Sequence, residues 1–345
     1  MSKIKVAIVG ATGYTGSELL RLLLRHPDVS IECITSQSKA GQSVTSIHPH
    51  LKDISSLKLE PASAVGDYDP DVVFLALPHG VSMDFVKEHG LDRYLTIDLS
   101  GDFRLPSPDI YTQWYGKEHI AGEFFEHAVY GLPELYRDRI RNARLVANPG
   151  CYPTSAILPL TPLIKYDMIE PEGIVIDSKS GVTGAGATAK PGTHFPELFG
   201  NFKAYAIAGH RHTPEIETSI GGYTGKEVRV LFTPHLLPID RGILTTTYST
   251  PKKEMNQTML DELFHSVFEK EHFLRVSDVP PMLKHVRGSN YCDVHVTYDE
   301  RNNRIITVST IDNLMKGAAG QAVQNMNIQF GLIESTGLDL IPLNP

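Results

Sequence analysis

Cys151 lies in the stretch Asn-Pro-Gly-Cys-Tyr-Pro-Thr at 148–154, and His210 and His212 lie in Ala-Gly-His-Arg-His-Thr-Pro-Glu at 208–215. A thiolate can attack an acyl carbon, and an imidazole can move the proton that such chemistry releases. Pro149 and Gly150 end one apolar run just before the cysteine, and an apolar helix is expected just after it. Cys151 is thereby placed on a strand-to-helix elbow. Unpaired amides and the positive end of the helix dipole stabilise a thiolate there and can bind an oxyanion forming on the attacked carbon. Pro153 suits the first helical turn, where its missing N–H is not needed. The other cysteines read as packing: Cys33 is mid-strand between Glu32 and Ile34, and Cys292 shares a strand face with Val294 and Val296. Three widely spaced cysteines form neither a disulfide framework nor a CxxC metal site, so reduced thiols are expected. His210 and His212 offer one general acid-base between them. An HxH pair is also half of a metal site, but no Cys or acidic residue at ligand spacing accompanies it, and no metal is expected.

A second cluster of chemical interest is Gly-Ala-Thr-Gly-Tyr-Thr-Gly at 10–16. It joins a short β-branched run to a leucine-rich helical stretch, the junction where backbone approaches a pyrophosphate and helix N-terminal amides bind it. Gly10, Thr12, Gly13, Tyr14, Thr15 and Gly16 are therefore the candidate dinucleotide-binding residues. The spacing is GxxGxxG rather than the commoner GxGxxG. Enzymes selective for NAD usually carry an acid at the end of the second strand, about 20 residues on. Here that place reads Thr-Ser-Gln-Ser-Lys-Ala-Gly, and Ser36, Ser38 and Lys39 could donate to a 2'-phosphate, which favours NADP(H) over NAD(H). The alternative for these residues is a solvated loop. A nucleophilic thiol together with a nicotinamide site suggests acyl-transfer redox chemistry, in which sulfur holds the substrate carbon while hydride moves.

These residues need elements to position them. The runs at 3–10, 29–36, 71–78, 95–100 and 143–150 are nearly continuous in apolar residues, as parallel strands covered on both faces are, with a helix at 17–27 stopped by Pro27. Residues 1–150 are expected to form a doubly wound Rossmann-type domain. Beyond Cys151 come longer strands at 172–181, 226–238 and 242–250, a hairpin of 290–299 with 304–312, and helices at 255–271 and from 316 to 332. Residues 151–312 thus read as an α+β domain on a mixed, largely antiparallel sheet. A length of 345 residues agrees with two domains, since one core stops growing near about 250–300 residues. A net charge of -8 gives no excess of basic residues for nucleic acid or anionic lipid, and neither partner is expected. No apolar stretch is long enough for a membrane span or laid out as a signal peptide, so a cytoplasmic location is expected.

The motifs together resemble those of the N-acetyl-gamma-glutamyl-phosphate reductases of the semialdehyde dehydrogenase superfamily. The likeness runs through GATGYTGSELLRLL, LALPHG, LSGDFRL, YGLPEL, NPGCYPT, SGVTGAG, GHRHTPEI, PHLLPIDRGIL and KGAAGQAVQNMN, nearly the whole chain. It implies NADPH-dependent reduction of an N-acetyl-glutamyl phosphate to the semialdehyde with phosphate release, Cys151 forming a thioester and His210 matching the family's catalytic histidine, with His212 in reserve. It further implies that Ser180, Gly181 and Gly184 let the cofactor approach Cys151. Asn313 is similar to the residue at which a C-terminal helix, here 313–345, returns to the first domain and touches the cofactor. Arg104 and Arg211 are the arginines embedded in motifs, each open to a substrate anion or a structural ion pair. Glu215 could orient a histidine or cap the following helix. Likeness also implies a homodimer or homotetramer built on the second domain's sheet. The rivals are another acyl-phosphate reductase, such as aspartate-semialdehyde dehydrogenase, a relative whose substrate rides on an acidic carrier protein, and a dinucleotide-sensing protein with no chemistry.

Overall fold

The β-branched runs of the N-terminal part pair as β1 (Ile4–Val9), β2 (Val29–Thr35), β3 (Leu59–Glu60), β4 (Val72–Leu75), β5 (Leu95–Asp98), β6 (Ala128–Tyr130) and β7 (Leu145–Ala147). They form one sheet in the order β3-β2-β1-β4-β5-β7-β6, and every pairing in it is parallel. The coordinates are a computed structural model and describe residues 2–344; Met1 and Pro345, the outer ends of the expected ranges 1–150 and 313–345, lie outside the described residues. The chain divides into two units, Met1–Pro149 with Ala318–Asp339 and Gly150–Gly317 with Leu340–Pro345.

In the first unit the sheet is buried on both faces. Ala7, Val9, Cys33, Val73 and Leu75 pack with Met83, Phe85 and Val86 of the Ser82–His89 helix. On the other side the Tyr14–Leu23 helix packs against the Gly320–Gln329 helix. Strand order reverses at β1, between β2 and β4, which opens a crevice at the carboxyl ends of β1 and β4, where the glycine turn lies. The helix expected at 17–27 runs instead from Tyr14 to Leu23, because Gly13 already has the extended backbone of an N-cap. β4 ends at Leu75, short of the expected 78, as Pro78 and Gly80 turn the chain. Nor is 313–345 one helix: a π-turn at Met315–Ala319 leads into Gly320–Gln329. Gly331, at a φ of 66°, closes that helix, with Leu332 N–H donating to the Asn327 carbonyl and Gly331 N–H to that of Ile328.

In the second unit β8 (Ile174–Ser180), β9 (Lys203–Ala204), β10 (Val230–Leu236), β11 (Ile243–Ser249), β12 (Leu274–Val276), β13 (Cys292–Asp299) and β14 (Arg304–Ile311) make a mixed sheet in the order β12-β13-β14-β11-β8-β10-β9. Only the β12-β13 and β8-β10 pairings are parallel. The Cys151–Lys165, His212–Thr224 and Gln257–Phe268 helices cover one face. The opposite face carries a cross-strand row of Leu231, Val175 and Tyr248, which are 62%, 37% and 40% exposed.

The Cys151–Lys165 helix is buried along nearly its whole length despite Pro159 and Pro162 in its interior. Pro159 cannot donate to the Ser155 carbonyl, and the Ser309 hydroxyl does so instead at 2.6 Å. Ser155 in turn shares a hydrogen bond of 2.7 Å with Thr245, and Thr245 one of 2.8 Å with Ser178. Small hydroxyl residues thus let the helix lie close to the sheet, and the Ser155 carbonyl that Pro159 leaves without its helical donor finds one in Ser309. Among the described residues no helix is long and apolar enough to cross a membrane.

Candidate functional site

Gly150 is the N-cap of the Cys151–Lys165 helix, so Cys151 is its first residue, half-buried, with its thiol at the positive end of the dipole. The Gly150 N–H donates to Oε1 of Glu215 at 2.7 Å. Glu215 is fully buried in the first turn of the His212–Thr224 helix, and its Oε2 lies 4.0 Å from Nε2 of His212. One carboxylate therefore stands between the amide preceding Cys151 and a histidine. Glu215 thus lies inside that helix and not ahead of it as a cap, and its carboxylate faces the Gly150 amide and His212.

His210 stacks edge-on against Tyr152, Tyr205 and Phe232, with ring centres 5.7, 5.7 and 5.3 Å away. Its Nδ1 accepts the His212 N–H at 3.1 Å, which keeps the ring proton on Nε2. Burial first, and then the charge of Arg211, push the His210 pKa down to about 4. The ring is neutral at pH 7 and presents an N–H donor, not a cation. Tyr205 donates its hydroxyl to that of Tyr152 at 3.0 Å, and Tyr152 donates to the His235 carbonyl at 3.1 Å. Burial raises both phenols, Tyr205 to about 12, and the neighbouring Cys151 charge adds to the rise in each. The segment between Tyr205 and His210 carries two alanines, Ala206 and Ala208, at φ of 45° and 57°. Such strain collects where surrounding structure over-determines a functional geometry.

Ser180 and Gly181 close β8. A β-carbon on Gly181 would stand 2.6 Å from the Asp240 carbonyl oxygen, whereas Gly184 borders only the Ser180 hydroxyl and the Asn313 amide at 3.5 and 3.9 Å. Asn313 accepts the Gly242 N–H at 2.7 Å and donates to the Thr183 hydroxyl at 2.9 Å, so its amide braces the 181–186 loop. The exposed Arg211 precedes the His212–Thr224 helix.

In the first unit the three glycines of the 10–16 turn differ in their surroundings. Gly10, at a φ of 91°, would place a β-carbon 2.5 Å from the Ala76 carbonyl oxygen, and Gly16 would place one 2.6 Å from that of Gly10. Gly10 is required by its positive φ and by the chain leaving β4, and Gly16 by the close approach of the helix start to the end of β1. Gly13 has nothing within 4 Å and no positive φ, so neither packing nor backbone demands glycine, and the space beside it suits a pyrophosphate. Thr12, Tyr14 and Thr15 complete the turn, which His48 braces by donating Nε2–H to the Ala11 carbonyl at 2.8 Å. Ser36 is buried, its N–H donating to the Glu60 carbonyl, while Ser38 and Lys39 are exposed. Sheet pairing sets Glu60 opposite Thr35, so an acid does lie beside the end of β2, brought there by β3. Arg104 spends two donors on main chain, Nε to the Asn148 carbonyl at 2.7 Å and Nη2 to that of Leu99 at 2.8 Å.

The structure thus gathers Cys151, His210, His212 and Glu215 around Tyr152 in the second unit, with Ser180 at the end of β8, Gly181 and Gly184 on the loop after it, and Asn313, just beyond β14, bonded to that loop. The glycine turn, Ser36, Ser38 and Arg104 belong to the first unit. Tyr152 and Tyr205 escaped the sequence reading; Tyr152 stood beside the cysteine, but Tyr205 carried no spacing signal. Among the described residues no three His, Cys, Asp or Glu side chains are placed to hold a metal.

Residues 5–143 match a model of the semialdehyde dehydrogenase NAD binding domain, and residues 151–313 match one of the semialdehyde dehydrogenase dimerisation domain. N-acetyl-gamma-glutamyl-phosphate reductase of Symbiobacterium thermophilum is 50% identical over 338 residues, 97% of either chain. The chain belongs to the N-acetyl-gamma-glutamyl-phosphate reductase family. Another member, from Desulforudis audaxviator, is 49% identical across 99% of this chain and 100% of its own. The fold of this family is shared more widely. Aspartate semialdehyde dehydrogenase II of Vibrio cholerae superposes with a TM-score of 0.74 at 17% identity, covering 96% of this chain and 99% of its own. An aspartate semialdehyde dehydrogenase with NADP from Candida albicans gives 0.69 at 16%, covering 95% and 98%.

Proposed function

We propose that this chain reduces N-acetyl-L-glutamyl 5-phosphate to N-acetyl-L-glutamate 5-semialdehyde with release of phosphate, a step of arginine biosynthesis. The observation that carries the reading is the Cys151 thiol at a helix N-terminus, with Glu215 joining the Gly150 amide to His212. The Cys151 thiolate attacks the acyl carbon, and phosphate leaves as the thioester forms. What a nicotinamide dinucleotide supplies when bound is a hydride equivalent; Gly10, Thr12, Gly13, Tyr14, Thr15 and Gly16 would hold it, and Ser180, Gly181, Gly184 and Asn313 are proposed as further cofactor-binding residues. Collapse of the resulting thiohemiacetal at Cys151 releases the aldehyde and returns the thiolate. His210, neutral and with its proton on Nε2, donates that N–H to the oxygen that gains charge in each tetrahedral adduct. His212 is the second reading for the proton carrier, favoured by its carboxylate neighbour. Arg211 is proposed for the substrate's anions. For Arg104, two of whose donors are engaged with main chain, we favour support of the Leu99 and Asn148 carbonyls.

NADP(H) is proposed over NAD(H) on the exposed Ser38 and Lys39. A preference for NADH in kcat/KM would instead point to Glu60. We further infer a homo-oligomer, supported by the open sheet face with its Leu231, Val175 and Tyr248 row, and a cytoplasmic location, supported by three cysteines that are not disulfide-bonded. The test runs the reaction in reverse, because acyl phosphates hydrolyse: N-acetyl-glutamate semialdehyde, NADP and phosphate are mixed with the protein and NADPH absorbance is followed. Phosphate-dependent NADPH production that disappears in Cys151→Ala supports the reading. Activity with aspartate semialdehyde alone would move the substrate, and dinucleotide binding without any turnover would favour a sensing protein.

A further inference from the structure

A nucleophile on a helix's first residue needs its side chain held to one orientation, and the segment after β14 supplies the means. Asp312 follows that strand and is fully buried. Its Oδ1 accepts the Leu314 and Met315 N–H groups at 2.8 and 3.1 Å, and its Oδ2 accepts the Gly288 N–H at 2.8 Å. The Gly317 N–H then donates to the Asp312 carbonyl at 3.0 Å, five residues back, which makes this a π-turn.

The turn brings Gly317 against Cys151. A β-carbon on Gly317 would stand 2.8 Å from the Cys151 β-carbon and 3.3 Å from both the Cys151 α-carbon and the Asp312 carbonyl oxygen. Gly317 is not among the glycines with positive φ, so its backbone is open to any residue. What excludes a side chain is the cysteine itself, at its root and not at the flexible end.

We propose that Gly317 is a positioning residue for Cys151, its bare α-carbon walling off one side of the cysteine β-carbon so that the sulfur swings only through the remaining arc. The proposal rests on the reading of Cys151 as the nucleophile. It makes the π-turn, held by Asp312, part of the machinery that aims the thiolate.

The experiment is a cycle of Gly317→Ala, Cys151→Gly and the double variant in the full-length protein. Gly317→Ala is expected to lower the thermal midpoint by roughly 3 to 10 °C, the cost of overpacking one carbon. In the Cys151→Gly background, where the cysteine β-carbon is gone, the same change should cost less than half as much. Gly317→Ala should also lower kcat about 100-fold, the scale of a misplaced reacting atom, with KM within about threefold. Alkylation of Cys151 by iodoacetamide, mapped by mass spectrometry, should slow in parallel. Should Gly317→Ala fail to fold, folding of the double variant supports the proposal and its failure overturns it. Equal thermal loss in both backgrounds, or an unchanged kcat, also overturns it. Failure of the functional reading would appear separately, as wild-type protein with no phosphate-dependent turnover, while the thermal cycle stays readable.

Discussion

Glu215→Gln isolates the carboxylate on which the proposed chemistry leans. The carbonyl oxygen of glutamine can still accept the Gly150 N–H now bonded at 2.7 Å, but the group facing His212 at 4.0 Å loses its charge. A charge-assisted hydrogen bond exceeds a neutral one by about 1 kcal/mol, so the fold should survive with a midpoint lower by about 2–4 °C. For a protonated His212, a unit charge at 4 Å is worth at most about 4 kcal/mol at an effective dielectric of 20. Half of that lost from the transition state corresponds to a fall in kcat of roughly 30-fold, with KM little changed. Glu215→Ala should do more, since it leaves the Gly150 N–H without this acceptor in a buried site at a cost of about 1–3 kcal/mol. The assay is phosphate-dependent NADPH formation across pH 6–9, with midpoints measured on the same samples. If Glu215→Gln keeps kcat within about twofold and an unaltered pH profile, the carboxylate serves only to hold the Gly150 turn, and the His212 reading falls.

Two further outcomes test the other unit and the acid limit. Gly13→Ala meets open space, so it should leave the midpoint within about 2 °C yet weaken NADPH binding by about tenfold or more in a fluorescence titration; unchanged affinity would remove the pyrophosphate from that space. His210, at about 4 in the folded chain against an ordinary 6.5, binds its proton less readily folded than unfolded. Stability should therefore rise with pH between about 4 and 6.5 by up to about 3 kcal/mol, be unaffected by this group above 6.5, and lose the full amount below 4. Midpoints measured from pH 4 to 8 should show a shallower acid limb for His210→Asn than for wild type, and identical limbs would contradict the assignment.

The sheets, the elbow at Cys151 and the glycine turn were legible because each is written in local chemistry. An apolar run that must be covered on both faces reads as a parallel strand wherever it occurs, as at 4–9 and 72–75. A glycine or proline breaks it at a definite place. The misjudged boundaries lie where a cap decides against the pattern: Gly13 starts the first helix at Tyr14, three residues before the expected start at Ser17, and Gly331 ends the last one long before the chain does. The glycines show the limit well. Gly10, Gly13 and Gly16 look alike along the chain, and only their neighbours in space separate two that serve packing from one that borders open space.

Along the chain, Cys151 and the histidines are about 60 residues apart, and types and spacing alone singled out both as candidates. Which histidine is neutral, which has a carboxylate partner, and that this carboxylate also holds the Gly150 amide were decided by the packing of two helices. Tyr205 reached Tyr152, Glu60 reached Thr35 and Gly317 reached Cys151 in the same way, across 53, 25 and 166 residues of chain. The reason is physical: hydrophobic periodicity and turn chemistry act over a few residues, whereas pKa values and steric walls depend on whichever atoms folding brings within a few ångströms.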